Sequence, residues 1–161
     1  FYLEHDISRT LKASISNTIL NSDIGSNEKL YNAENNVGYF LVTTLSYFNP
    51  RLLNVSVAWS TRQGRLYTPV SSSVYNSNVD FYQPIYSVNT DHKRFGNYNT
   101  INLSLNKMIN IHKSSLIVFA SVFNVLDTRN TKSVIYNRNY TAGTFDYYQK
   151  RSIYFGCALS F

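Results

Sequence analysis

Residues 52–62 read LLNVSVAWSTR, and their order decides the fold class. Leu53, Val55, Val57 and Trp59 fall on one side of an extended chain, and Asn54, Ser56, Ala58, Ser60 and Arg62 on the other. Successive side chains of a strand point to opposite faces, so this period of two predicts a half-buried β-strand. The pattern recurs along the chain. Ile101, Leu103 and Leu105 oppose Asn102, Ser104 and Asn106. Ile153, Phe155, Cys157, Leu159 and Phe161 oppose Ser152, Tyr154, Gly156, Ala158 and Ser160. Leu11, Ala13, Ile15 and Ile19 oppose Lys12, Ser14, Ser16 and Thr18. Runs 37–48 and 116–126 are more apolar on both faces, and 1–7 reads as the tail of a further strand. Seven strand segments are therefore expected.

Composition points the same way. Of 161 residues, 16% are aromatic and only 15% charged, against roughly 25% charged in an ordinary soluble domain. Helix formers are scarce, and no apolar run reaches the ~18 residues of a transmembrane helix. Any membrane span must then be built from strands. The net charge is +6, but the basic residues stand singly or in pairs, without RGG runs or lysine clusters, so no nucleic-acid partner is expected. The single cysteine, Cys157, makes neither an internal disulfide nor a CxxC metal site.

Connection lengths carry a second signal. Short breaks around Ser8–Arg9, Asn49-Pro50-Arg51 and Asn110–Ser114 alternate with long ones at 22–36, 63–98 and 127–150, the last with strand-like character at Lys132–Tyr136. Outer-membrane barrels sort short turns to one end and long loops to the other. A soluble β-sandwich produces the same alternation without that sorting. The long connections are thus expected at one end, opposite Pro50 and the C-terminus. Seven strands leave two open edges, which cannot face lipid, so residues 1–161 are expected to be the C-terminal portion of an antiparallel transmembrane β-barrel meander.

Four stretches resemble a known family. Thr61-Arg62-Gln63-Gly64-Arg65-Leu66-Tyr67-Thr68-Pro69-Val70 resembles the G-R-P-Y-T-P element of TonB-dependent outer-membrane receptors, with Leu66 where the family more often has Pro. VFASVFNVLDTRN (118–130) resembles their penultimate strand and its F-N-L-x-D/N-x-x-N ending. Tyr148-Gln149-Lys150-Arg151 with 152–161 resembles their closing strand, and RFGNYNTINLSL (94–105) a strand that descends before these. The resemblance covers roughly 61–161. It implies about the last seven strands of a 22-stranded barrel, a scale in keeping with plugged outer-membrane transporters. It also implies a Gram-negative outer-membrane location and import of a scarce solute, such as a ferric siderophore, another metal chelate or a different nutrient. Nothing in the chain resembles the plug or its TonB-contacting segment. The implied partners are the remaining barrel and plug, the TonB complex through that plug, the barrel-assembly machinery, and outer-membrane lipid with lipopolysaccharide. No cofactor is implied. A passive porin or structural barrel segment, and a soluble all-β binding domain, are the alternatives from other classes.

Candidate residues follow from these readings. The polar faces would line a lumen through Lys12, Asn54, Ser56, Ser60, Arg62, Asn102, Ser104 and Asn106. The apolar faces would meet lipid, with Tyr39, Tyr47, Trp59 and Phe161 as interfacial girdles. Loop cations His92, Lys93, Arg94, Arg129 and Arg138, with Lys132, Lys150 and Arg151 nearby, would concentrate an anionic solute or meet lipopolysaccharide phosphates. Phe155, Leu159 and Phe161 would form the C-terminal assembly signal. No catalytic role is expected. His5, His92 and His112 are scattered, Asp91-His92 are mere sequence neighbours, and no G-x-S-x-G, H-E-x-x-H, P-loop or G-x-G-x-x-G is present. The sequons at Asn54 and Asn102 fall within strands.

Overall fold

Each alternating run forms a strand, and the strands pair in chain order. The computed structural model describes residues 1–20, 37–87 and 93–160 in full, and 23–26 and 29–32 at the level of the backbone. In chain order the elements are β1 (Tyr2–Asp6), β2 (Leu11–Leu20), β3 (Asp23–Ser26), β4 (Lys29–Asn32), β5 (Gly38–Tyr47), β6 (Asn54–Arg62), β7 (Leu66–Tyr67), β8 (Val70–Asn76), β9 (Phe81–Tyr86), β10 (Lys93–Arg94), β11 (Tyr98–Ile111), β12 (Ser114–Phe123), β13 (Thr131–Tyr136), β14 (Gly143–Tyr147) and β15 (Ser152–Ser160). No helix occurs among the described residues.

Seven of these build one antiparallel sheet in the order β1-β2-β5-β6-β11-β12-β15. It is an up-and-down meander, and it is open: β1 and β15 are its two edges. Because neighbours run antiparallel, the breaks after β1, β5 and β11 share one end with the end of β15. The connections after β2, β6 and β12 all leave from the opposite end.

Register keeps every strand in phase. Val57 stands beside Leu45 on one side and Leu103 on the other, Leu103 beside Val122, and Val122 beside Ile153. Leu45 is paired with Ala13, and Ala13 with His5. Paired residues of a sheet share a face, and a one-residue slip anywhere would reverse the pattern beyond it. One face is consequently mainly apolar, interrupted by His5, Asn17, Thr43 and Lys107, while the other carries serine, threonine and asparagine together with Phe40, Val42, Ile117, Phe119 and Phe123. No second layer covers the apolar face among the described residues. Phe155 is 83% exposed, and Leu66, in a loop-end strand, is the single buried hydrophobic side chain described.

The short breaks have local causes. Asn49 accepts at Oδ1 from the Arg51 and Leu52 amides (3.1 and 3.3 Å), turning the chain before β6. His112–Lys113 is a two-residue hairpin with His112 at φ 55°, as the first central residue of such a turn requires. β11 thereby runs to Ile111, and the turn falls within the Asn110–Ser114 break expected from sequence.

The long connections are not plain loops. They fold into two-stranded ribbons: β3 with β4, β8 with β9, β7 with β10, and β13 with β14. Only the 132–136 strand character was expected. The others escape a period-two search because residues 70–76 (VSSSVYN) and 81–86 (FYQPIY) lack a clean apolar face, and both strands are largely exposed.

Candidate functional site

All eight polar candidates, Lys12, Asn54, Ser56, Ser60, Arg62, Asn102, Ser104 and Asn106, fall on the polar face by register. Several are paired there. Asn54 Nδ2 donates to Asn106 Oδ1 at 2.9 Å, Ser56 is hydrogen-bonded to Ser46 at 3.2 Å, and Ser104 to Ser121 at 3.2 Å. Lys12 Nζ lies 2.7 Å from Glu4 and 3.5 Å from Asp6, an exposed cluster on the polar side of β1 and β2. Toward the edge at β15, the ring of Phe119 lies where a Cβ on Gly156 would fall.

At the loop end this face hollows into a cleft of about 540 Å³. Arg62 ends β6 here, with its guanidinium carbon 4.8 Å from the ring centre of Tyr98 and 5.3 Å from that of Tyr148. The two rings meet edge-on at 5.4 Å. Ser60, Thr100 and Asn102 line the same cleft. Burial raises the Tyr148 phenol, but hydrogen bonding and charge from Arg62, and then from Arg65, outweigh it and hold the group below the ordinary tyrosine range. A cation beside two tyrosine rings, with hydroxyls and an amide facing a wall that includes Leu20, Val37 and Phe40, suits a solute carrying oxygen acceptors on a flat or aromatic body.

Among the described residues, several loop cations engage neighbouring groups. Arg138 reaches Asp80 at 2.9 Å, joining the β13–β14 ribbon to the β8–β9 ribbon. Arg94 donates to the Gly64 carbonyl at 2.6 Å, and Lys132 lies 3.6 Å from Asp146. Lys93 and Arg129 are exposed. Asp91 and His92 lie outside the described residues. Further ties bind the ribbons: Ser73 Oγ donates to the Asn139 carbonyl at 2.6 Å, and the Val70 amide to the Tyr136 hydroxyl at 3.3 Å. Tyr67 stacks on Phe95 at 4.1 Å, and Phe95 meets Phe145 edge-on. Three of the named cations thus act on neighbouring loop groups rather than on one shared point. Phe155 and Leu159 sit on the apolar side of the edge strand β15, while Phe161 lies outside the described residues.

Sequence reasoning overlooked a polar knot behind the cleft. Asn124 (φ 51°) and Asp127 (φ 52°) turn the chain sharply after β12. Asn124 is 3% exposed; it accepts from the Thr128 amide at 3.0 Å and donates to the Thr128 and Gln149 carbonyls at 3.0 and 3.3 Å. Its own amide donates to Asn102 Oδ1 at 3.0 Å. Asp127 accepts from the Arg151 amide at 2.9 Å. Asn130, also 3% exposed, exchanges two hydrogen bonds with the backbone of Asn99. The asparagines and aspartate of FNVLDTRN thereby satisfy main-chain groups that the turn would otherwise strand. The spacing N-x-x-D-x-x-N was the available signal.

Among the described residues, no three His, Cys, Asp or Glu side chains gather as a metal site. His5 stands on β1 and His112 in the turn after β11. No protein-family model, no curated protein and no solved structure matches the chain.

Proposed function

We propose that this chain forms wall strands, solute-contacting loops and the closing strand of a TonB-dependent outer-membrane transporter with a 22-stranded barrel. The observation that carries this reading is the in-phase apolar face of seven strands with no second layer over it among the described residues. A soluble sandwich buries such a face against another sheet. In a membrane, lipid is the covering layer, and the polar face turns to the lumen. The open edges at β1 and β15 would pair with further strands to close the wall, since unpaired backbone groups in hydrocarbon cost several kcal/mol each. Short turns at one end and folded ribbons at the other fit the periplasmic and extracellular sides. The resemblance at 61–70, 118–130 and 148–161 supplies the transporter class. The Arg62–Tyr98–Tyr148 cleft, beneath the ribbons, is where the wall would meet an oxygen-rich solute such as a ferric chelate.

The test uses the full-length protein in its native membrane. It should fractionate with the outer membrane, migrate differently before and after boiling, and support uptake of a labelled ferric chelate only when TonB is energised. Open-channel conductance in planar bilayers without TonB would favour the passive porin. Recovery as an aqueous protein without detergent would overturn the barrel.

A further inference from the structure

On the proposal that this sheet faces lipid, we infer that its apolar face carries a seat for one glycerophospholipid at the short-turn end, with the lipid phosphate held by Lys107. The face is interrupted there by a groove of about 400 Å³ between β6, β11, β12 and β15. Its lining is almost wholly apolar and includes Leu53, Leu105, Val118, Ala120 and Phe155. Register explains the hollow. Ala120 sits between Leu105 and Phe155 in one row, and Lys107, Val118 and Cys157 make the next. Ala120 is the small side chain of the groove, so Leu105, Val118 and Phe155 rise around a trough suited to an acyl chain.

Lys107 sets a cation in the trough, between Leu105 and Ile109, which line it as well. It is the one cation on the apolar face of β11, and it stands one residue past Asn106, where pairing with β6 ends. No ion pair holds it among the described residues. The same end of the sheet carries Arg9, Arg51 and Lys113 in its turns, whereas the carboxylates nearest that end, Glu4 and Asp6, are on the polar face with Lys12. The long alkyl stem of a lysine packs along apolar surface while its ammonium reaches the headgroup layer. A cation without an ion-pair partner among the described residues, on the wall of an acyl-sized trough, is complementary to a phosphodiester anchored by its own chains. The occupant is thus a phospholipid of the leaflet at the short-turn side, with an anionic headgroup preferred over a zwitterionic one.

The experiment is native mass spectrometry of the full-length protein in mild detergent, titrated with phosphatidylglycerol or with phosphatidylcholine of identical chains. Phosphatidylglycerol should be retained more strongly. Lys107→Gln should weaken it about fivefold, the effect of one basic residue at a charged membrane surface, and leave phosphatidylcholine unchanged. Lys107→Arg should keep most of the preference. Ala120→Leu should lower retention of both lipids by filling the trough. Lys113→Gln, at the turn and outside the groove, should have little effect. Equal losses in Lys107→Gln and Lys113→Gln would mean diffuse rim charge and overturn the seat, as would unchanged retention in Lys107→Gln. A protein that needs no detergent would overturn the membrane reading itself, whereas a detergent-dependent protein without a preference at Lys107 would overturn this inference alone.

Discussion

The side-chain amide of Asn130 pairs with the main chain of Asn99 as another strand would. The Asn99 amide donates to Asn130 Oδ1 at 2.8 Å, and Asn130 Nδ2 donates to the Asn99 carbonyl at 2.9 Å. Asn99 is the second residue of β11, and one side chain extends the sheet where β12 has already turned away. Asn130→Ala should strand both main-chain groups in a buried place. The expected loss is about 1–3 kcal/mol, read as a shift in the denaturant midpoint of the full-length protein. Asn130→Asp should restore the acceptor but not the donor and fall between.

Facing is tested by charge. Val57→Lys or Leu103→Lys places an ammonium on the apolar side in the middle of the sheet. Near a bilayer midplane this costs roughly 2–4 kcal/mol, measurable by refolding into lipid vesicles. Ser56→Lys and Ser104→Lys, one residue along on the polar side, should cost far less. Equal costs for both pairs would show that neither face meets hydrocarbon.

Gly64 marks a close approach between backbones. A Cβ there would collide with the carbonyl oxygens of Phe95 and Gly96. Gly64→Ala should therefore push the β7–β10 ribbon from its place and expose the stacked Tyr67 and Phe95 rings. Limited proteolysis should then cut between 63 and 98 several times faster, while the seven-stranded sheet stays protected.

The Tyr148 phenol gives a pH readout. Its lowered folded-state affinity for the proton means that the anion is favoured in the folded cleft relative to the unfolded chain. The linked stabilisation is present above the unfolded tyrosine range and is lost as pH falls through the folded value. Ultraviolet titration should show one tyrosine ionising ahead of the others, lost in Tyr148→Phe and moved upward in Arg62→Gln.

The strands of the seven-stranded sheet were legible because most of their runs alternate with a period of two, as in β2, β6, β11 and β15. Leu53 to Trp59 and Ile153 to Leu159 declare their face without any partner. The two-stranded ribbons were not legible, since Ser71, Ser72 and Ser73 offer no contrast between faces and their order comes from ties such as Ser73–Asn139 across 66 residues. The polar candidates share one face for the same reason as the apolar ones share the other, yet their division of labour was hidden. Asn102 serves the Asn124 backbone, and Arg138 serves Asp80, because chain reversals brought those partners near. Lys107 was passed over because a lone lysine in a strand has meaning only once its row, Leu53 to Cys157, is known.

The free edges of the sheet also impose a parity rule on whatever joins them. Ile153, Phe155, Cys157 and Leu159 fix which alternate positions of an arriving strand must be oily, and Leu3 and His5 do the same at the other border. An arriving strand displaced by an even number of residues keeps that parity and leaves only the vertical offset to be chosen. A strand displaced by an odd number would turn every oily position toward water. The in-phase sheet therefore halves the alignments open to its neighbours before any particular side-chain contact is made.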